Sequence, residues 1–192
     1  MSYKTDLLQK ELSYIRNKKI EEFTVKAIEE LPDYFFEIPA SSTGKYHPNY
    51  ALGQGGLLRH VKACVVICKE LFRLEMFDYF TRDEKDIIIS SLLLHDGLKH
   101  GIIKSEFSKF EHPLIIKDFL SNNDNLKNIL PQEIFEKITN NVAHHMGQWI
   151  DNPHSDIILE KPNNKMENFV HLVDYLASRK CIEINFDVPI SL

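Results

Sequence analysis

The stretch from Thr81 to Gly97 reads TRDEKDIIISSLLLHDG, and it decides the fold. Thr81 followed by Glu84 is a capping-box signature, which marks the start of a helix. The helix body from Ile87 to Leu94 is apolar all round apart from Ser90 and Ser91. A helix without a solvent face is a buried one, so this is the expected central helix. It ends in His95-Asp96-Gly97. An ionised aspartate at the edge of an apolar core is costly unless paired or bound to a metal, so a cation is expected beside Asp96.

The flanking segments read as further helices. Leu57, His60, Cys64, Ile67 and Leu71 recur at three and four residues, which predicts a helix to about Met76 with His60 turned inward. Leu7, Leu8, Leu12 and Ile15, then Ile20, Phe23, Ala27 and Ile28, predict two short helices within residues 4–31, broken near Asn17. From Pro32 to Gly56 the pattern dissolves into turn residues over a length that marks a functional loop. Beyond the central helix, His112-Pro113 opens a helix with Pro in its favoured first position. Pro131 opens another, in which Ile134, Ile138, Val142 and His145 share a stripe, and a last helix spans about Lys165 to Arg179. Ile182, Ile184 and Phe186 alternate and hint at one short strand. With no other strand pattern, the reading is an all-α bundle of six or seven helices.

At 192 residues the chain fits one domain, residues 1–192. Its longest apolar run is too short to cross a membrane, and no export signal is visible at the N-terminus. Cys64 and Cys68 sit one turn apart in an apolar run and read as reduced core thiols, so a cytoplasmic location is expected. The net charge of −5 supplies no global field for duplex DNA, so an anionic substrate needs a local site. The unusual feature is nine histidines.

His60, His95, Asp96 and Asp174 come from three expected helices and form an N and O ligand set suited to Mn, Fe, Co, Ni or Zn. His112 at a helix mouth and the doublet His144-His145 at a helix end form a second group. Neighbours on a helix diverge by roughly 100°, so a doublet shares one ion only at a fraying terminus. Asp96, with two oxygens, is placed to bridge two ions. Taken singly, each residue has a plainer role: His60 as a core histidine, the doublet as a helix cap, Asp174 as a surface acid.

Taken together, the order His60, His95-Asp96, His112, His144-His145, Asp174 resembles the HD superfamily of metal-dependent phosphohydrolases. The segments GGLLRH, LLLHDG, EHPLI, AHHMG and HLVDYLAS carry the resemblance, which covers a core of about residues 47–180 behind N-terminal helices and a loop over 1–46. His47-Pro48, HHMG and HLVD most resemble the HD part of YhaM-type 3′-to-5′ exoribonucleases. The resemblance implies a helical fold in which His60, His95, Asp96 and Asp174 hold one divalent metal. In the two-metal branches, His112, His144 and His145 hold a second, with Mn or Fe favoured. Lys99 keeps the family's phosphate-contacting place three residues after Asp96, although the glycine of HD-x-G-K is shifted to Gly97.

The implied activity is hydrolysis of a phosphoester in a nucleotide or short oligonucleotide by metal-activated water, with Asp96 and Lys99 as the catalytic pair. Lys99, Arg59 and Lys45 are the expected substrate contacts. The alternatives are a phosphodiesterase acting on cyclic dinucleotides or RNA 3′ ends, and a non-catalytic HD-like binding module. A homo-oligomer is compatible with this reading, and the partner is a phosphorylated small molecule or short nucleic acid. Lys104 and Lys109 read as solvated loop residues, and His100 and His154 as surface residues. His171, one turn before Asp174, reads as an orienting partner of a ligand. His47 either contacts substrate or pins the long loop. Trp149 reads either as a loop anchor or as a platform for a nucleobase.

Overall fold

The computed structural model describes residues 2–182. Among them are α1 (Tyr3–Asp6), α2 (Gln9–Leu12), α3 (Lys18–Glu30), α4 (Gly56–Leu71), α5 (Arg82–Leu94), α6 (His112–Ser121), α7 (Gln132–Ala143) and α8 (Lys165–Ala177). No strand occurs among the described residues, so the class is all-α, with eight helices rather than six or seven. No helix among them is long and apolar enough to cross a membrane.

The helix read first from the sequence is the central one. Thr81 Oγ1 accepts from the Glu84 N–H, and the Glu84 carboxylate accepts from the Thr81 N–H, so the capping box forms. Every residue from Asp86 to Leu94 is buried, and α3, α4, α7 and α8 all pack on α5. Its two serines are satisfied inside the core. Ser90 Oγ lies 2.7 Å from Thr24 Oγ1 of α3, and Ser91 Oγ accepts from Asn141 Nδ2 of α7 at 3.1 Å.

The break near Asn17 has a clear cause. The Asn17 side chain accepts from the N–H groups of Lys19 and Ile20, capping α3. The fully buried Asp86 carboxylate accepts from the backbone N–H groups of Arg16 and Asn17 at 2.9 and 2.8 Å, and Arg82 lies 3.0 Å away. Upstream of this knot the chain forms two one-turn helices rather than one longer helix, because Leu8 between them leaves the helical backbone region. Leu8, Leu12 and Ile15 are nonetheless all buried.

Helix α4 stops at Leu71, not near Met76. Leu74 and Met76 face solvent, and the chain turns there to bring Phe77 and Phe80 against Phe169 at ring separations of 4.9 and 5.1 Å. Phe72 stacks on Phe169 from the end of α4. The alternation at Ile184 and Phe186 lies outside the described residues.

Candidate metal centre

Five elements deliver polar side chains to one buried point. His60 comes from the first half of α4, His95 and Asp96 from the end of α5, and His112 from the start of α6. His145 follows the end of α7, and Asp174 lies on α8. His60, His95, Asp96, His112 and His145 are almost fully buried, whereas the Asp174 side chain keeps about 20% exposure.

The ligand atoms fall into two groups that share Asp96. In the first, His60 Nε2 lies 3.0 Å and His95 Nε2 3.6 Å from Asp174 Oδ1. The same nitrogens lie 3.8 and 3.6 Å from Asp96 Oδ2. In the second, Asp96 Oδ1 lies 3.0 Å from His112 Nε2 and 3.7 Å from His145 Nε2, and these nitrogens are 3.1 Å apart. Metal bonds of about 2.0–2.1 Å in a tetrahedral shell put neighbouring ligand atoms roughly 3.3 Å apart, which matches these spacings. Among the described residues, two overlapping sets bring their ligand atoms within 4.8 Å of one another and could hold a metal: His60, Cys64, His95 and Asp174, which adds a thiol to the first group, and His95, Asp96 and His145, which links the two groups through His95.

Backbone carbonyls set the histidine tautomers. Nδ1 of His95, His112 and His145 lies 2.7 Å from the carbonyl oxygen of Leu92, Lys109 and Val142, respectively. A carbonyl only accepts, so each Nδ1 carries a proton, and each ring in its neutral form turns an Nε2 lone pair inward. For His112 and His145 those lone pairs face each other across 3.1 Å, an arrangement that a cation between them relieves. Nε2 of His95 and Oδ1 of Asp96 are buried without a hydrogen-bond partner. The donor set therefore fits a divalent ion, which would take up two of its unsatisfied atoms, His95 Nε2 and Asp96 Oδ1, while His60 Nδ1 stays without a partner.

The electrostatics agree. Burial pushes the Asp96 carboxyl up, but the Lys99 ammonium and the rings of His95 and His112 overcome it and hold Asp96 well below the carboxylate range. Burial likewise opposes ionisation of Asp174, and His60 and His95 reverse it. Burial, with His95 and His112 nearby, lowers His145 to about 3, so it is a neutral ligand at pH 7.

A cavity of about 480 Å³ opens onto this point, with Asp96, His112, His145 and Asp174 on its walls. Lys99 lines it, its Nζ 2.5 Å from Asp96 Oδ2. The other two expected substrate cations do not line it. Arg59 donates to the carbonyls of Tyr50 and Leu52 and so ties down the long loop, while Lys45 is exposed above the Tyr46 ring. Lys109 and Arg179 line the cavity instead.

His144, expected as a ligand, is not brought to the cluster. Its Nδ1 lies 2.9 Å from the buried carboxylate of Glu167, and its Nε2 3.4 Å from Glu160. His145 takes the inward position because it continues the stripe of Ile138 and Val142, and the residue before it, His144, points elsewhere. His100, expected at the surface, is buried. Its Nδ1 pairs with the Ser105 carbonyl as the Lys99–Lys109 loop folds back over it. His154 and Lys104 are exposed as read. His171 Nδ1 donates to the His145 carbonyl at 2.9 Å, so the residue it positions is His145.

Two further residues belong to the site. Cys64 Sγ lies 3.7 Å from His60 Nε2, one turn along α4. His47 lines the cavity with its ring 5.8 Å from that of His60 and no hydrogen-bond partner for Nδ1. Burial, with His60 and Lys99 nearby, lowers its pKa to about 4. The glycines flanking the site have steric causes. A Cβ on Gly56 would meet the Ala51 carbonyl at 2.2 Å, and one on Gly147, where φ is +66°, would meet the His171 ring at 2.1 Å.

In comparison with known proteins, the chain matches no family model, no curated protein and no solved structure.

Proposed function

We propose that the protein is a metal-dependent phosphohydrolase of the HD type, cleaving the phosphoester of a nucleotide or short oligonucleotide. The observation that carries this reading is the convergence of inward Nε2 lone pairs from His95, His112 and His145 on Asp96, with His60 and Asp174 completing the ring. The order of these residues along the chain, and its resemblance to the HD pattern, supports the reaction class.

In this reading His60, His95, Asp96 and Asp174 hold one divalent ion, and Asp96, His112 and His145 hold a second. Such ions supply Lewis acidity and lower the pKa of a water to about 7. Asp96 offers one oxygen to each group and keeps the two in register. Lys99 on the cavity wall presents an ammonium to phosphoryl oxygens, sharing charge that develops as the ester bond breaks. His47, neutral at pH 7, adds a hydrogen-bonding edge without adding charge. The buried rings of His112 and His145 exclude bulk water from the floor.

The test is to strip the protein of metal, reload it with Mn²⁺ and incubate it with nucleoside phosphates, cyclic dinucleotides and short RNAs, separating the products. Metal-dependent release of phosphate or of a nucleotide supports the reading and tells monoester from diester cleavage. Tight metal binding with no turnover of any of them would instead mark a non-catalytic module.

A further inference from the structure

The mouth of the cavity is built differently from its floor. Tyr46, Trp149, Tyr175 and Arg179 line it, on the same cavity as Asp96, Lys99 and Asp174. Trp149 is the only tryptophan, and it is 42% exposed. Its indole lies nearly parallel to the Tyr175 ring, 5.7 Å away at 15°, and meets the His171 ring edge-on. The Arg179 guanidinium sits 4.5 Å from the Tyr175 ring and 5.7 Å from that of Tyr46, which is itself 56% exposed.

These flat groups are held in place rather than left loose. Arg179 donates to Ser178 Oγ at 2.8 Å, and the Lys180 N–H donates to the Tyr46 carbonyl, joining the long loop to the end of α8. The absence of a side chain at Gly147 lets the loop that carries Trp149 lie directly against His171. A cluster of exposed aromatic rings fixed side by side at a cavity mouth is the kind of surface that marks a ligand-binding groove.

We propose that this mouth is a base-binding subsite: the nucleobase of a nucleoside phosphate stacks on Trp149, backed by Tyr175 and by Arg179 between the two tyrosines, while its phosphate reaches Lys99. The inference rests on the phosphohydrolase reading for the phosphate, and on the aromatic rim alone for the base. Base–aromatic stacking tolerates every base because each has a π-face, so the subsite selects nucleotides over plain sugar phosphates without choosing among bases. A cavity of about 480 Å³ suits a ligand of nucleotide size.

Because Trp149 is the sole indole, its fluorescence reports the subsite directly. The protein is titrated with adenosine 5′-monophosphate and with ribose 5-phosphate, once in EDTA and once with Zn²⁺, and the affinities are repeated by calorimetry on Trp149→Ala and Trp149→Phe. The expected result is a saturable change in Trp149 emission with the nucleotide. Its affinity should exceed that of ribose 5-phosphate by about five- to a hundred-fold, fall in Trp149→Ala and be largely kept in Trp149→Phe. Equal affinities for the two ligands, no nucleotide-specific change in either metal state, or an unchanged nucleotide affinity in Trp149→Ala would each overturn the subsite. Nucleotide binding without turnover of any phosphoester would sink the phosphohydrolase reading and leave the subsite standing. Equal turnover of both esters, insensitive to Trp149→Ala, would do the reverse.

Discussion

Asp96 stands between the two ligand groups, with Oδ2 on the side of His60 and His95 and Oδ1 on the side of His112 and His145. Asp96→Ala is therefore expected to abolish hydrolysis and to empty both groups together, as read by product release and elemental analysis. Lys99 touches only Asp96 among the ligands and otherwise faces the cavity. Lys99→Ala should keep the metal but lower kcat/KM about 10- to 150-fold, the value of a charge-assisted hydrogen bond of about 1.5–3 kcal/mol. Unchanged kinetics would remove Lys99 from the machinery. The doublet separates by role. His145→Ala should cost up to one bound ion per chain, whereas His144→Ala should leave metal content intact and lower stability by about 1 kcal/mol, because the buried Glu167 carboxylate loses its imidazole but keeps the donors of Asn163 and Asn164. Metal loss in His144→Ala would show that its pairing with Glu167 gives way to coordination. His145 was readable from the three- and four-residue spacing of its stripe. The fate of His144 was not, since it depends on Glu167 from another helix.

The elements were readable where local chemistry dictates them. Thr81 and Glu84 start α5, Asn17 starts α3 and Pro113 opens α6, each through bonds or backbone limits within a few residues. What escaped the sequence depends on distant partners. Helix α4 ends early because Phe77 and Phe80 have a cluster around Phe169 to join, and His100 is buried because its loop folds back. Arg59 is used up by the carbonyls of Tyr50 and Leu52, which no spacing rule reveals. Asp86 is the clearest case of an element held by one residue, since it ties the start of α3 to the start of α5. Asp86→Ala should destabilise the fold by about 3 kcal/mol in urea unfolding, because two backbone N–H groups and Arg82 lose a buried partner. A loss below about 0.5 kcal/mol would show that water takes over those bonds.

At the scale of the whole molecule, the cluster couples acid stability to metal. His47 and His145 have folded pKa values of about 4 and about 3, below the ordinary histidine value of 6.5. The unfolded chain therefore binds more protons, and stability falls as pH drops from about 6.5 toward those values. The lowered carboxyls of Asp96 and Asp174 act in the same direction below pH 3.8, while the raised pKa of His95 works against it near neutrality. The metal-free protein should thus show a falling Tm between pH 6.5 and 4, and a bound ion should raise Tm at pH 7 by mass action. A flat Tm over that interval would mean that the histidines are solvated. The most direct test of the central claim is the metal stoichiometry of the folded chain, measured by elemental analysis after equilibrium dialysis against Mn²⁺ or Zn²⁺. Two ions per chain in the native protein and none in Asp96→Ala is the predicted result; a folded native protein that retains no ion would contradict it.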